Sequence, residues 1–259
     1  MCAPRQRPEA LVADKATAVR SPRTATSPRR PSTRRPESLR STPSSSSSTP
    51  VIPTGPVFSA LRAHHWTHID NLESILEGGA LRAGVVPAFD VSSVATRDAR
   101  AEATTASGTA VAAHVAFALS PHSSKWDDVR TGATGAAWSD AARKARATDF
   151  VVFVVPTTAL GDEVVVTDRE ATVDGARFAT GAAEATPLLR RVSIVDADLL
   201  EPEVLVPGAV GLDTVTLIGV PNDKMRDRVK QLLVEVGGVA PRVAVYPPWF
   251  RPTEIEDEA

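Results

Sequence analysis

The sequence predicts an α+β domain, a mixed β-sheet core with short flanking helices, preceded by a disordered N-terminal tail. Three observations point there. Dense β-branched runs, above all 149–155 (DFVVFVV), mark strands, and short periodic runs behind Ser, Asn or Asp mark helices. The two kinds of run do not alternate regularly, and there is no GxGxxG or Walker motif, which argues against a doubly wound nucleotide-binding sheet. Finally, residues 1–55 are rich in Pro, Ser and Arg, including the serine run 44–48, with almost no large apolar side chain. Such a segment buries too little surface to offset its ordering entropy.

Charge follows the same division. Residues 1–50 hold ten Lys/Arg, nine of them Arg, against three Asp/Glu; they carry +7, so the rest carries −9 of the net −2. The basic tail reads either as an electrostatic arm for nucleic acid or as an unselected extension. Residues 252–259 form a short acidic tail behind the folded domain, placed at 56–251. Cys2 is the single cysteine, which excludes an internal disulfide and a zinc-finger spacing. No apolar run approaches the roughly 20 residues that cross a bilayer, and the N-terminus lacks the apolar stretch of a secretory signal. The expectation is a soluble cytoplasmic monomer with no membrane partner.

Taken in order, the folded part opens with 66–80 (WTHIDNLESILEGGA). A strand-like run ends at His68. Asp70 and Glu73 form a capping-box arrangement for a helix of about two turns with Leu72, Ile75 and Leu76 on one face, ended by Gly78 and Gly79. Ser92 or Ser93 caps a helix carrying Arg97 and Arg100, which share a face by spacing. Residues 111–119 (VAAHVAFAL) read as a buried strand, 122–135 as a polar loop and 136–147 as a helix. Strands follow at 149–155, 163–167, 176–179, within 188–196, at 204–206 and at 214–220. Asn222 or Asp223 caps a helix to about Val236 with Val229, Leu232, Leu233 and Val236 inward; 242–245 is a last strand.

The order of these motifs resembles the DarT family, bacterial toxins that transfer ADP-ribose from NAD+ onto bases of single-stranded DNA and have an ADP-ribosyltransferase fold. The likeness is carried by Thr67-His68-Ile69-Asp70-Asn71-Leu72 with Ile75-Leu76 and Gly79, then by the serine-led arginine helix. Next come the buried strand with Pro121-His122-Ser123, Thr167-Asp168 with Arg177-Phe178, Glu203-Val204-Leu205-Val206-Pro207, and 245–250 (VYPPWF). It covers roughly 57–250. Two stretches depart from it: His122-Ser123-Ser124-Lys125 stands for the family's Arg-Ser-Pro-Met, and Glu201-Pro202-Glu203 for its Gln-Ala-Glu.

The resemblance implies an ADP-ribosyltransferase-like sheet, NAD+ as substrate, single-stranded DNA (thymine as the base) as acceptor, and a macrodomain-type antitoxin as partner. Breaking the nicotinamide–ribose bond gives an oxocarbenium-like transition state, so a carboxylate is needed beside the ribose. Glu203 is the candidate. A guanidinium fork suits the pyrophosphate, with Arg97 first and Arg100 second, and Arg97 is also counted with the catalytic groups. Thr67, His68 and Asn71 are placed on the cofactor, and His122, Ser123 and Lys125 on the acceptor. Trp126 and Trp138 are candidates to stack on unpaired bases. The five histidines (64, 65, 68, 114 and 122) show no metal-ligand spacing, so no metal is expected. RNA or protein acceptors, or a nucleic-acid-binding module without turnover, are the alternatives.

Overall fold

The computed structural model describes residues 55–237 and 241–252. Strand β1 (Arg62–His68) passes through a 3-10 turn into α1 (Leu72–Glu77) and β2 (Ala80–Arg82). Then come α2 (Val94–Glu102), β3 (His114–Ala118), α3 (Ser124–Arg130), α4 (Asp140–Lys144) and β4 (Phe150–Pro156). The second half holds β5 (Val165–Thr167), β6 (Phe178–Thr180), α5 (Gly181–Val192), β7 (Glu203–Pro207) and β8 (Ala209–Gly211). It closes with β9 (Leu217–Val220), α6 (Asp223–Val236) and β10 (Arg242–Val245). Eight strands form one mixed sheet in the order β10-β9-β4-β1-β3-β7-β5-β6, and β2 pairs with β8. Among the described residues, only the β10–β9 pair is parallel. This is the mixed α+β sheet with short helices that the sequence predicts.

β4 explains the layering. Its side chains alternate, as a strand's must: Val151, Phe153 and Val155 join the core beneath α1, α5 and α6, while Phe150, Val152 and Val154 join a second cluster with Trp126, Trp138 and Phe250 under α3 and α4. Both faces are therefore covered, which accounts for the unbroken apolar run. β1 shares seven register pairs with β4 but a single one, His64 with Ala118, with β3. The sheet opens between β1 and β3, and the His65 ring bridges the gap, its Nδ1 2.9 Å from the accepting Ala116 carbonyl.

Several local expectations are corrected. The helix after β1 is not capped by Asp70: the His68 ring accepts the Asp70 N–H at 3.3 Å, and Asn71, at the N-cap position of α1, makes no capping bond. The polar loop 122–135 contains α3, because Ser123 caps it and Trp126, Val129 and Arg130 are buried. The helix expected over 136–147 is only α4, and the strand expected within 188–196 is the end of α5. Ala185, Leu188, Leu189 and Val192 are buried at helical spacing in spite of Pro187. Val236 is exposed, so the inward face of α6 runs through Met225, Val229, Leu232 and Leu233. The two expected tails, apart from Gly55 and Pro252, lie outside the described residues.

Candidate active site

The opened edge of the sheet forms a cleft of about 410 Å3 beneath α2 and α3. Its floor is set by register. His64, Ala118 and Glu203 form one row across β1, β3 and β7, and Ala116 with Leu205 continues the next. Alternation points these residues to the same face. The two alanines leave a trough between the bulky groups of β1 and the Glu203 carboxylate.

Glu203 is 6 % exposed at the start of β7, yet its carboxylate is not isolated. Lys125 of α3 donates to Oε1, Arg100 of α2 reaches both oxygens at 3.4 Å, and the Ala171 N–H donates to Oε2 at 3.2 Å. Thr167 holds the backbone: its Oγ1 accepts the Glu203 N–H at 3.0 Å. Burial by itself pushes the carboxyl up, but the charges of Lys125 and Arg100 outweigh it and hold the group below the usual carboxylate range. The result is a buried, ionised carboxylate at the wall of a cleft with two cations beside it. That is a fitting group to face a developing oxocarbenium ion.

Sequence spacing does not separate Arg97 from Arg100, but the fold does. Ser93 caps α2 by accepting the Thr96 N–H, and the helix then directs Arg100 to Glu203. Arg97 instead pairs with Asp90 at 2.7 Å and donates to the Ser92 carbonyl at 2.8 Å. Lys125 lines the cleft and also pairs with Glu170 at 2.9 Å. Ser123 lines it too, as the buried cap of α3. His122 turns to Arg130, whose Nη1 donates to its Nδ1 at 3.1 Å; burial first, and Arg130 second, lower its pKa.

Thr67, His68 and Asn71 do not line this cleft. His68 lies four residues along β1 from the Glu203 row, roughly 13 Å. These residues fasten the neighbouring loop. Asn71 donates to Thr67 Oγ1 at 3.1 Å and to the Phe89 carbonyl at 2.8 Å, and its Oδ1 accepts the Phe89 N–H at 2.7 Å. The His68 ring stacks on Phe89 at 3.7 Å. The tryptophans are corrected: Trp126 stacks on Trp66 at 4.0 Å and donates to the Trp249 carbonyl, and Trp138 is 8 % exposed in the same cluster. Both line the cleft, but as buried members of the core that show it little surface.

Sequence reasoning missed His64, His65 and Trp66 on the cleft wall, since nothing in an isolated strand shows where its sheet opens. It also missed that the two departures from the family pattern touch. Ser124 Oγ donates to Glu201 at 2.5 Å, and Lys125 binds Glu203, so the altered loop and the altered glutamate segment form one connected unit. Among the described residues, no group of three or more His, Cys, Asp or Glu is placed to hold a metal ion, and no helix is long and apolar enough to cross a membrane.

This geometry can be set beside known proteins. The family described as "ssDNA thymidine ADP-ribosyltransferase, DarT" matches residues 64–251. The fold is similar to Thermus sp. 2.9 DarT in complex with ADP-ribosylated ssDNA, with a TM-score of 0.64 and 21% identity over 75% of this chain and 99% of that one. The same protein in complex with NAD+ gives a TM-score of 0.61 and 23% identity over 76% of this chain and 99% of that one. Thermosipho africanus DarTG in complex with ADP-ribose gives 0.57 and 17% identity over 73% of this chain and 51% of that one. No protein of curated function matches the sequence.

Proposed function

Because this chain belongs to the DarT family, we propose that it transfers ADP-ribose from NAD+ onto a base of single-stranded DNA, with thymine as the base. The observation that carries the reading is Glu203, a buried carboxylate kept ionised by Lys125 and Arg100 on the wall of an open cleft. In this reading Glu203 stabilises positive charge at the ribose carbon as nicotinamide departs, and takes the proton that the attacking base releases. Arg100 and Lys125 supply the positive charge that the pyrophosphate needs, and Arg97, paired with Asp90 outside the cleft lining, adds to it from the same helix as Arg100. Thr67, His68 and Asn71 serve the cofactor through the loop they fasten at Phe89. Ser123 and Lys125 meet the acceptor from α3, with His122 beside them.

Support comes from the Thermus relatives, whose complexes hold NAD+ and ADP-ribosylated ssDNA. We read the protein further as a cytoplasmic monomer, the toxin half of a toxin–antitoxin or phage-defence pair, answered by a macrodomain-type enzyme that removes ADP-ribose. The solved relative Thermosipho africanus DarTG holds ADP-ribose.

The test offers labelled NAD+ with single-stranded DNA of mixed sequence, RNA and polypeptide in parallel. Label should enter DNA, and Glu203→Gln should lower the rate by at least about 10²-fold. Label found only in RNA or polypeptide, or a Glu203→Gln protein of full activity, would overturn the assignment.

A further inference from the structure

The cleft holds a second carboxylate that the transfer chemistry leaves without a role. Glu170 lies in the loop between β5 and β6, lines the cleft and pairs with the Lys125 ammonium at 2.9 Å. Lys125 also donates to Glu203, so one ammonium bridges two carboxylates. The pair with Glu170 is half-exposed, at 39 % for Lys125 and 33 % for Glu170, and an isolated pair of that kind contributes little to stability. What sets this one apart is the buried carboxylate on the same cation.

The loop is fastened on both sides of Glu170. Thr167, at the end of β5, accepts the Glu203 N–H at 3.0 Å and donates its hydroxyl to the Arg169 carbonyl at 2.5 Å. Ala171 is buried with Val111, Val165 and Leu205, and its N–H donates to Glu203 Oε2 at 3.2 Å. The neighbouring acids are engaged elsewhere, Asp168 by Arg169 and Glu201 by Ser124. Charge then gives Glu170 its purpose. Arg100 comes to Glu203 from α2, Lys125 from α3 and Glu170 from the loop. Arg100 alone matches the charge of Glu203; Lys125 adds a second positive charge, and Glu170 balances it. A lysine carries a strongly hydrated ammonium on a flexible stem, and a second, more exposed anion confines it where one buried anion leaves it rotamer freedom.

We propose that Glu170 is a positioning residue for the transfer reaction: it holds the Lys125 ammonium against Glu203 and acts on the chemistry only through that lysine. The proposal rests on the reading of the cleft as an ADP-ribose transfer site.

The test compares the wild type, Glu170→Ala, Lys125→Met and the double variant in steady-state labelling of single-stranded DNA from NAD+. Glu170→Ala should lower kcat about tenfold, within the loss of up to about 10²-fold that a misplaced group beside the reacting atoms causes. On the Lys125→Met background the same change should have no further effect, because the lysine through which Glu170 acts is gone. The acid limb of the pH–rate profile gives the sign. Loss of the Glu170 charge by itself would favour the Glu203 anion and move the limb to lower pH. A lysine released from Glu203 moves it to higher pH, which is the expected result. A wild-type kcat in Glu170→Ala, a limb that moves to lower pH, or an equal loss on the Lys125→Met background would each overturn the positioning role while leaving the transferase reading intact. A wild type that labels no single-stranded DNA would instead overturn the reading beneath it.

Discussion

At the scale of single residues, the balance around Glu203 decides whether the cleft is ready to act. Desolvation opposes the carboxylate's charge, and two cations and one backbone N–H restore it. Of the two cations, Lys125 lowers the pKa more, and its side chain is 39 % exposed against 15 % for Arg100. Lys125→Met keeps the length of the side chain and removes the ammonium. The acid limb of the pH–rate profile, set in the wild type by a carboxyl below its usual range, should then move to higher pH. Arg100 and Ala171 remain, so the carboxylate is weakened as an anion but not abolished. A limb that stays in place would show that Lys125 does not govern Glu203. The same balance explains why Arg100 rather than Arg97 bears on the carboxylate. Three residues of helix separate them, but Arg97 is already committed to Asp90.

At the scale of elements, the cleft depends on how α3 is seated, and that depends on Trp249. The Trp249 carbonyl accepts the Trp126 indole N–H at 2.7 Å, and Trp126 lies one residue beyond Lys125. Trp249 rests on Gly219 of β9, where an added Cβ would lie 2.9 Å from the indole and 2.7 Å from Val152. Gly219→Ala should cost about 1–3 kcal/mol by overpacking and should lower activity by shifting Trp126 and Lys125 together. Urea unfolding followed by tryptophan fluorescence reads the first effect; wild-type stability in this variant would refute the contact. How much of this was legible follows from the same elements. β4 was plain because burial on both faces leaves seven apolar residues in a row. α6 was plain because Asn222 caps it, accepting the Met225 N–H at 2.9 Å, and Gly237 ends it at φ +77°. α3 was hidden, since its inward face is little more than one turn and one of its buried residues is Arg130. α5 was read as a strand because Pro187 interrupts the pattern and only its last apolar residues stood out. Glu203 was legible as a carboxylate before a strand, but its partners come from α2 and α3, which tertiary packing alone brings there.

At the scale of the whole molecule, the open seam between β1 and β3 makes stability depend on pH. His64 sits in that seam, 6 % exposed, its ring 5.7 Å from Trp249. Its Nδ1 has no hydrogen-bond partner among the described residues. Burial lowers its pKa from 6.5 to about 4, and the nearby Ala118 carbonyl recovers only part of the loss. His65, bridging the same seam, is lowered by burial too. Between pH 6.5 and 4 the unfolded chain takes up a proton that the folded chain refuses. Acid therefore favours unfolding across that window, and the fall from 6.5 to about 4 amounts to roughly 3 kcal/mol for His64. Glu203 adds to this lower down, since a carboxyl with a lowered pKa stabilises the fold above its ordinary range and loses that contribution as pH falls through the folded value. Urea midpoints taken from pH 7.5 down to about 4.5 should decline steadily, and His64→Gln should flatten the decline because glutamine has no proton to accept. A wild type whose midpoint does not change with pH would mean that the seam tolerates a charged imidazole. The trough of Ala116 and Ala118 between His64 and Glu203 would then be far wetter than its packing implies.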